Sequence, residues 1–304
     1  MISIIIPNYN GEELIKKNLP KVILHLKNYD FEIIIVDDGS EDNSLKVIEE
    51  FIDKYENIRL IKNERNMGFS PSVNKGAKAA RGEYLILLNN DVYPENDFLK
   101  SSIKDLEDEN VFAVGFKDES IENGKKVPRG RGVGQWRRGF LMHAAGSLDK
   151  KNNLWASGGS SAFSKSIWDK LGGLNEIYAP FYWEDIDISY RALKAGYKVL
   201  FEKESLVVHE HEKGAIRKKF SNEQIRTISF RNQFIFVWIN ASEKLLLSNL
   251  FWLPYHMLRS ILSFDLAFIF GFFSFLIKLP KVLSERQKVQ KQFKLSDDKV
   301  TIQR

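Results

Sequence analysis

The 304-residue sequence contains no cysteine. This absence excludes a disulfide-stapled fold, a thiolate metal site and thiol catalysis. The first ten residues have no basic leader and too short an apolar stretch for a signal peptide, so we expect the bulk of the chain to stay in the cytoplasm. No internal repeat occurs. Hydrophobic residues make up 43% and charged residues 28%, which excludes collagen, a pure coiled coil and wholesale disorder.

Basic residues exceed acidic ones by 45 to 40, and the surplus lies in the last quarter of the chain. Residues 225–304 carry 12 Lys and Arg against 5 Asp and Glu, and the rest carries 33 against 35. The same segment contains Ser260–Ile277, an 18-residue run whose only charge is Asp265. A basic and apolar end favours a membrane surface over nucleic acid as a partner. We expect residues 222–304 to be helical and to associate peripherally with the inner face of the cell membrane; packing on the catalytic domain or a homo-oligomer interface is the alternative.

Apolar runs of strand length alternate with helical patterns in the first third of the chain. The runs are Ile2–Ile6, Phe31–Val36, Ile58–Ile61 and Tyr84–Leu88. This alternation predicts an α/β fold with a mostly parallel, doubly wound sheet. Ligands of such sheets bind beyond the carboxyl ends of the strands. The polar residues that follow three of these runs, Pro7-Asn8, Asp37-Asp38 and Asn89–Asp91, should therefore meet at one edge.

The alternation of strand-like and helical patterns stops at residues 117–140. The segment 124–138 holds six cations, four glycines and no anion, which we interpret as a mobile basic loop carrying Trp136. A Gly/Ser turn follows at Gly158-Gly159, and Trp183 precedes a helix that begins with Glu184. Beyond that helix, two short strands are expected at Lys198–Phe201 and Ser205–His209, and a frayed tail after about Leu295.

Two of these sites carry carboxylates next to apolar strands. Asp37-Asp38 is typical of an Asx turn, and it could equally accept hydrogen bonds from a base or ribose. Asp91, with an asparagine carbonyl and a donated diphosphate, could ligate Mg²⁺ or Mn²⁺, because hard cations prefer oxygen ligands.

The other two sites lie in the second half of the catalytic region. Glu184 and Asp185 start a helix and complement its dipole, and an ionised carboxylate there can also serve as a general base. The next acidic residue, Asp187, is expected to pair with Arg191 at i,i+4. His209 and His211 are either surface histidines or imidazole metal ligands.

Taken in order, these motifs resemble those of inverting family 2 glycosyltransferases with the GT-A fold, nearest to the rhamnosyltransferase-like bacterial branch. The resemblance covers roughly residues 1–215. The matching segments are Ile4–Gly11, Val36–Ser40, Asn66–Ser70, Asn74–Gly76, Ala80–Tyr84, Leu87–Val92, Ser157–Ser160, Leu171–Glu176, Phe181–Ala192 and Val207–His209.

The resemblance implies a GT-A catalytic domain over residues 1–221, with a nucleotide-binding half at about 1–115 and an acceptor-binding half at about 116–221. It implies a nucleotide-sugar donor, a glycan or lipid-linked acceptor and a divalent cation. Asp185 would be the catalytic base beside Glu184, and Asp91 with His209 or His211 would hold the metal. Donor contacts would come from Pro7, Asn8, Asn10, Asp37, Asp38, Asn66, Lys75, Asn90 and Asp91, and acceptor contacts from Gly158, Gly159, Trp183 and Trp136.

One residue departs from the family pattern. Asn89 stands at the first position of the Asp-X-Asp metal motif, so the site loses one formal charge and the cation should bind mainly with the nucleotide. Two other functions remain open from the residues alone. One is a sugar-phosphate nucleotidyltransferase, although Pro7–Gly11 lacks the glycine-rich, arginine-bearing loop it needs. The other is a non-catalytic membrane or nucleic-acid binder, suggested by the Arg-Gly segment at 128–132.

Overall fold

The computed structural model describes residues 1–122, 124–210 and 219–302. The strands are β1 (Ile2–Asn8), β2 (Phe31–Asp37), β3 (Ile58–Lys62), β4 (Tyr84–Leu88), β5 (Val92–Pro94), β6 (Val111–Glu122), β7 (Lys125–Arg129), β8 (Gly132–Arg137), β9 (Phe140–Ala145), β10 (Ser160–Ser164) and β11 (Lys198–His209). The helices are α1 (Glu12–Leu26), α2 (Ser44–Ile52), α3 (Phe69–Ala79), α4 (Lys100–Leu106), α5 (Lys165–Leu171), α6 (Glu184–Lys194), α7 (Asn222–Asn240), α8 (Glu243–Leu262), α9 (Ala267–Gln290) and α10 (Asp297–Val300).

The central sheet runs in the order β3-β2-β1-β4-β10-β6-β11-β5. The strands β1 to β4 are parallel, β10 runs antiparallel between β4 and β6, and β11 is parallel to β6. This arrangement confirms the predicted mixed α/β fold with a mostly parallel sheet. Because helices cover both faces, β1 and β2 are buried along nearly their whole length, which explains their continuous isoleucine runs.

Two apolar clusters lie on opposite faces of the sheet. One packs α1 and α2 against Ile4, Ile33 and Ile35. The other packs α3, α5 and α6 against Ile5 and Ile34. Since alternate side chains of a strand point to opposite faces, Ile4 and Ile5 belong to different clusters.

The prediction of a mobile loop over residues 124–138 is wrong, because β7 (Lys125–Arg129) pairs with β6, and β8 (Gly132–Arg137) forms a second, two-stranded sheet with β9. A continuous buried run from Val111 to Phe116 leads β6 into this region, and the run of cations and glycines concealed the following strands. The two strands expected at 198–209 form one, β11, with an irregular register between Glu202 and Leu206.

The expected frayed tail is also wrong. Asp297 accepts hydrogen bonds from Tyr190 Oη (2.6 Å), Lys194 Nζ (2.9 Å) and the Ser242 backbone N (3.0 Å). The Gly134 backbone N donates to Ile302 O at 2.8 Å. These contacts fasten the described end of the chain to α6, to the start of α8 and to β8.

The carboxy-terminal helices share an apolar cluster with the β8–β9 sheet and α6. Phe234 and Phe236 of α7 and Phe275 of α9 are fully buried in it. The apolar run at 260–277 is broken by a turn, because α8 ends at Leu262 and α9 begins at Ala267. Among the described residues, only α9 is long and apolar enough to cross a membrane, with 24 residues and a mean hydropathy of 1.6.

Candidate active site

The carboxyl ends of β1, β2, β4 and β11 and the start of α6 surround a cleft of about 430 Å³. Eleven of the residues singled out from the sequence line it. They are Pro7, Asn8, Asp38, Asn66, Asn90, Asp91, Gly158, Gly159, Glu184, Asp185 and His209.

Asp38 is buried at the rim of the cleft and holds one wall in place. Its Oδ1 accepts hydrogen bonds from Asn63 Nδ2 and from the Met67 backbone N, both at 2.8 Å, and its Oδ2 accepts one from Gly68 N at 2.8 Å. Gly68 has φ = 93°, a conformation that favours glycine. The carboxylate therefore fixes the loop that leads into α3.

The Asn8 side chain joins three strand ends. Its Nδ2 donates to Asp37 Oδ2 at 3.0 Å, and its Oδ1 accepts from Asn90 Nδ2 at 2.8 Å. A Cβ on Gly11 would lie 2.2 Å from Asn90 Nδ2 and 2.3 Å from Asn8 Oδ1, so the following loop can pass only with glycine at that position. These hydrogen bonds fix the carboxyl ends of β1, β2 and β4 relative to one another at the cleft.

Three expected donor contacts lie outside the cleft lining. Asp37 is buried and accepts from Ser40 Oγ (2.6 Å) and Ser40 N (3.0 Å), three residues on, so its carboxylate closes the turn after β2. Asn10 accepts from Glu41 N at 2.8 Å. Lys75 points away and donates to Lys62 O (3.0 Å) and Asn63 Oδ1 (2.8 Å). Each of these three side chains hydrogen-bonds to a neighbouring group of the protein and does not line the cleft.

The two tryptophans expected at the acceptor also lie outside the cleft lining. Trp136 donates its Nε1–H to Tyr190 Oη at 3.1 Å and stacks on Phe236. Trp183 is buried and packs on Phe236 with ring centroids 5.1 Å apart. The reason is apolar packing, because both rings join the cluster formed with α7. His211 lies outside the described residues.

Glu184 and Asp185 begin α6 at the cleft. Burial, followed by the negative charge of Asp185, raises the pKa of Glu184 to about 8. Burial also raises the pKa of Asp185, although Asp185 accepts hydrogen bonds from Ile186 N (2.8 Å) and Gly158 N (3.4 Å). Within the described part of the chain, Glu184 Oε2 is buried with no hydrogen-bond partner. The pair therefore holds a carboxylate with enhanced basicity.

The rest of this turn is structural. Arg191 Nε donates to Asp187 Oδ2 at 2.7 Å, both side chains are buried, and the predicted i,i+4 pair is confirmed. Asp187 Oδ1 also accepts from Tyr178 Oη and Asn240 Nδ2. With all its partners supplied by the protein, Asp187 is excluded as the reacting carboxylate.

The loop before α6 is held by α7. Tyr182 and Trp183 have φ of 71° and 77°, which costs on the order of 1 kcal/mol or more each and persists only when neighbours enforce it. Asn232 Nδ2 lies 2.7–2.9 Å from the carbonyl oxygens of Tyr178, Phe181 and Tyr182. Arg231 donates to the carbonyls of residues 178 and 179. The carboxy-terminal helices thus set the position of Glu184 and Asp185.

His209 lies between two carboxylates at the end of β11. Its Nδ1 is 2.9 Å from Asp118 Oδ2, and its Nε2 is 3.2 Å from Asp91 Oδ1. Burial alone would lower the pKa of His209, but the hydrogen bonds and negative charges of Asp118 and Asp91 outweigh it and raise the pKa to about 9.

These residues fit a divalent cation that is shared with a ligand. Asp91 would supply one carboxylate ligand and His209 Nε2 one imidazole ligand. The other ring nitrogen of His209, Nδ1, contacts the carboxylate of Asp118, and metal-binding histidines usually have such a partner. Within the described residues, no three His, Asp or Glu side chains form a metal-holding group. The other ligand positions would therefore fall to amide or phosphate oxygens.

The sequence analysis missed several residues of this site. Asp118 follows Val114 and Phe116 at alternate positions of β6, so the period of two would have placed it on the face of the sheet that carries them. Tyr9, Phe69, Tyr182 and Phe220 line the cleft, and carried no polar signal that would distinguish them from packing residues.

Solved structures of other proteins have a fold similar to that of this chain. The chain superposes on GalNAc-T7, solved with UDP, GalNAc and Mn²⁺, with a TM-score of 0.66 and 20% identity over 79% of this chain and 48% of that one. It superposes on the mannosyltransferase PcManGT of Pyrobaculum calidifontis, solved with GDP-Man and Mn²⁺, with a TM-score of 0.57 and 15% identity over 96% of this chain and 85% of that one. Fold and cleft together define the GT-A class.

The family follows from the sequence match. The model of glycosyl transferase family 2 matches residues 3–172, and the chain belongs to this family. The comparisons do not single out the rhamnosyltransferase-like branch, which stays a prediction.

Two curated relatives show how far the likeness extends. A dolichyl-phosphate β-glucosyltransferase of Trichomonas vaginalis is 32% identical over 42% of this chain and 42% of its own. A poly(ribitol-phosphate) β-glucosyltransferase of Bacillus spizizenii is 40% identical over 30% of this chain and 15% of its own. The chain thus spans less than half the length of either relative.

Proposed function

We propose that the protein transfers a sugar from a nucleoside-diphosphate sugar, of the UDP or dTDP type, to an acceptor hydroxyl with inversion at the anomeric carbon. The observation that carries this proposal is that Asp185 lines the same cleft as Asp38, Asn90 and Asp91. The family match supports glycosyl transfer over the nucleotidyltransferase and non-catalytic alternatives. Cell-surface polysaccharide or glycolipid synthesis is the corresponding role, and the activities of the two relatives named above support it.

The donor occupies the half of the cleft formed by β1, β2 and β4. The carbonyl-rich turn at Pro7-Asn8 and the loop held by Asp38 bound the nucleoside pocket, with Asn66 beside it. Asn90 and Asp91 lie toward the α6 side, where the diphosphate belongs.

The acceptor enters between Gly158-Gly159 and the start of α6. A Cβ on Gly159 would lie 2.4 Å from Asn89 Nδ2, and one on Gly158 would lie 3.0 Å from the Phe69 ring. Glycine at these two positions therefore lets Asn89 and the Phe69 ring pack closely against the backbone next to Asp185.

Asp185 accepts the proton of the attacking hydroxyl. A raised pKa makes its carboxylate a stronger base, and the amino-terminal dipole of α6 helps to keep it ionised for the reaction. Attack opposite the leaving diphosphate in one displacement inverts the anomeric carbon. Glu184 is buried next to Asp185, has its pKa raised to about 8 and holds the one proton that the pair retains.

Asp91 and His209 would hold a Mg²⁺ or Mn²⁺ ion together with the donor diphosphate. When bound, such an ion neutralises the negative charge that develops on the leaving group. Asp118 orients the His209 ring, so that Nε2 faces Asp91. Two of the structures with a similar fold were solved with Mn²⁺, which supports this assignment.

The test of the base is Asp185→Asn. We expect turnover to fall by about 10²–10⁴-fold, the usual range for a general base, with UDP binding retained. Glu184→Gln should reduce turnover less, and Asp169→Asn, on the exposed side of α5, should leave it unchanged. Near-normal turnover of Asp185→Asn with either a sugar-nucleotide hydrolysis assay or an acceptor assay would refute the assignment.

We also propose that residues 222–304 associate peripherally with the inner face of the cell membrane. Residues at helical spacing on α8 (Leu247, Leu250, Phe251, Leu258, Ile261) and on α9 (Phe270, Phe273, Ile277) are exposed, as is Phe264 in the turn between them. Monomeric soluble proteins rarely expose contiguous apolar patches of this kind. We call these residues the apolar face; an in-plane helix pair buries such a face at the lipid headgroup boundary.

Flotation of the full-length protein with anionic liposomes tests this association. Each basic residue contributes only about 1 kcal/mol at an anionic surface, so high salt should not release the protein. A Phe251→Glu/Phe264→Glu/Ile277→Glu variant, altered where exposure is 76%, 93% and 83%, should stay unbound. The control Leu24→Glu changes an exposed leucine on α1 and should float like the wild type. If the wild type stays soluble and dimerises, the face is an oligomer interface.

A further inference from the structure

The turn of the β8–β9 hairpin packs on α8. Arg138 and Gly139 are the two residues between the strands, and their φ values are 49° and 79°. Both values lie in the region that favours glycine, so an arginine in this turn needs support from outside the hairpin. His256 Nε2 of α8 donates to Arg138 O at 3.0 Å. Asn249 Nδ2, also of α8, donates to Gly139 O at 3.0 Å, and these bonds fix the turn on the helix.

The Arg138 guanidinium lies against two aromatic rings of α8. Its central carbon is 4.6 Å from the centre of the Tyr255 ring and 5.2 Å from that of the Trp252 ring. Its Nη1 donates to Tyr255 Oη at 2.6 Å. Contact with aromatic faces holds a guanidinium in one orientation while its N–H edge can still bind an anion. Arg138 is therefore positioned as an anion-binding group before any ligand arrives.

A second arginine lies on the same side of α8. Trp252, Tyr255 and Arg259 are spaced i, i+3 and i+7, which places them on one face of the helix. Burial lowers the pKa of His256, and the positive charges of Arg138 and Arg259 lower it further, so both guanidinium groups lie near this imidazole. Among the residues that the structure describes, no carboxylate pairs with either arginine. The arginine–aromatic cluster, as we call it, consists of Arg138, Trp252, Tyr255 and Arg259.

This cluster borders the apolar face. Phe251 of the apolar face packs its ring edge-to-face on Trp252, with centroids 5.6 Å apart. At about 100° per residue, the cluster is centred about a third of a turn around α8 from Leu247, Leu258 and Ile261. A helix is about 10 Å across with its side chains, so the cluster lies several ångströms nearer to water when the apolar face is buried in lipid. That depth is the headgroup layer.

The chemistry of the cluster matches a lipid headgroup that carries a phosphate. Guanidinium groups bind phosphate through paired N–H···O bonds, and tryptophan and tyrosine are enriched where a membrane meets water. A choline headgroup would bring its ammonium group close to two arginines, so an anionic phospholipid is favoured over a zwitterionic one. A soluble phosphate would make the same polar contacts but would gain nothing from the adjoining apolar residues.

We propose that the arginine–aromatic cluster binds the phosphate of an anionic membrane phospholipid while the apolar face enters the acyl layer. This inference rests on the proposed membrane association, to which it adds the lipid class and the residues that recognise it. It also brings the β8–β9 hairpin to the membrane surface, in addition to the carboxy-terminal helices.

The test compares binding of the full-length protein to vesicles of phosphatidylcholine alone and to vesicles with one quarter phosphatidylglycerol. The wild type should bind the phosphatidylglycerol vesicles at least tenfold more tightly. Arg138→Gln/Arg259→Gln should lower this affinity about tenfold or more, because each arginine at an anionic surface contributes about fivefold, and should leave binding to phosphatidylcholine unchanged. The control Lys27→Gln/Lys46→Gln removes the same charge from exposed positions at the end of α1 and on α2, and should bind like the wild type.

A further variant separates phosphate recognition from charge. Arg138→Lys keeps the charge but loses the planar group that lies on the rings, so the preference for phosphatidylglycerol should fall about threefold or more. An unchanged preference in this variant would assign the effect to diffuse charge and overturn the proposal. UDP binding, measured on every variant, should be retained, which shows that the catalytic domain is folded.

Three other results would also overturn the proposal. One is equal binding of the wild type to both kinds of vesicle, which refutes the headgroup assignment and leaves the membrane association intact. Another is a double arginine variant that binds like the lysine control. The third is binding of free glycerol phosphate as tight as vesicle binding, which would assign the cluster to a soluble phosphate. A wild type that binds neither vesicle refutes the proposed membrane association itself.

Discussion

Ionisation of Glu184 should make the stability of the protein depend on pH in the absence of substrate. The folded protein holds the Glu184 proton up to a pKa of about 8, because the side chain is buried beside Asp185. The unfolded chain releases this proton near the ordinary value of 4.5. Between these values the folded state binds more protons, so its stability falls as the pH rises. Below pH 4.5 this loss is absent, and above pH 8 it is complete.

The difference between the two pKa values sets the size of the effect. Raising one pKa from 4.5 to about 8 corresponds to an upper limit of about 5 kcal/mol, since each pKa unit is worth about 1.4 kcal/mol. Asp185, whose pKa is also raised, shares the proton and reduces the part that belongs to Glu184 alone. We therefore expect Glu184→Gln to match the wild type near pH 5 and to be about 2 kcal/mol more stable at pH 9.

Urea unfolding at pH 5, 7 and 9 measures this difference. The control is Glu13→Gln on the exposed side of α1, which should show no pH-dependent gain over the wild type. A Glu184→Gln variant whose stability follows the wild type at all three pH values would show that Glu184 is ionised without cost, and the reasoning from burial would fail.

Three further predictions concern the ligand site and the carboxy-terminal helices. Asp91→Ala should weaken UDP binding and abolish any dependence of that binding on Mn²⁺, measured by titration calorimetry with and without chelator; wild-type binding that ignores chelator would refute the metal assignment. Asn232→Leu leaves buried carbonyls without a donor, which costs about 1–3 kcal/mol, and it should lower turnover while UDP affinity is retained; parallel loss of both would indicate general misfolding. Asp297→Asn leaves the Lys194 ammonium buried without its counter-charge and should lower the free energy of unfolding by about 3–5 kcal/mol. The control Asp298→Asn, next to it on the same helix, should change the free energy of unfolding by less than about 0.5 kcal/mol.

The parallel half of the sheet could be predicted because its strands are buried on both faces. Ile2–Asn8 and Phe31–Asp37 are mostly apolar, with three consecutive isoleucines each, and each ends in a polar residue. The same rule brought Asn8, Asp38 and Asp91 to one cleft, since parallel strands end at the same edge. The residue pattern of a strand therefore predicts its place in the sheet where both faces of the strand are buried.

Prediction failed where side chains are bound by distant partners. Lys75 is a cation at a motif position, yet it satisfies the carbonyl of Lys62. Trp136 lies in a cationic, glycine-rich segment that is typical of a loop, yet its ring packs on Phe236 of α7, 100 residues away in the sequence. No local pattern contains that contact, because it depends on how α7 folds back over the β8–β9 sheet.

The carboxy-terminal helices therefore both expose an apolar face and hold the loop before α6, and the composition alone does not distinguish these two roles. Their basic and apolar character favoured membrane association, with packing on the first domain or an oligomer interface as the alternative. In the structure, Asn232 of α7 binds the carbonyls of the loop that ends at Glu184, and Lys278 of α9 donates to Ile177 O at 2.8 Å near the start of the same loop. The positive φ values of Tyr182 and Trp183 are enforced from this side. Because α9 exposes part of the apolar face and also contacts the start of this loop through Lys278, a shift of α9 at a lipid surface would be transmitted to the loop that precedes Asp185.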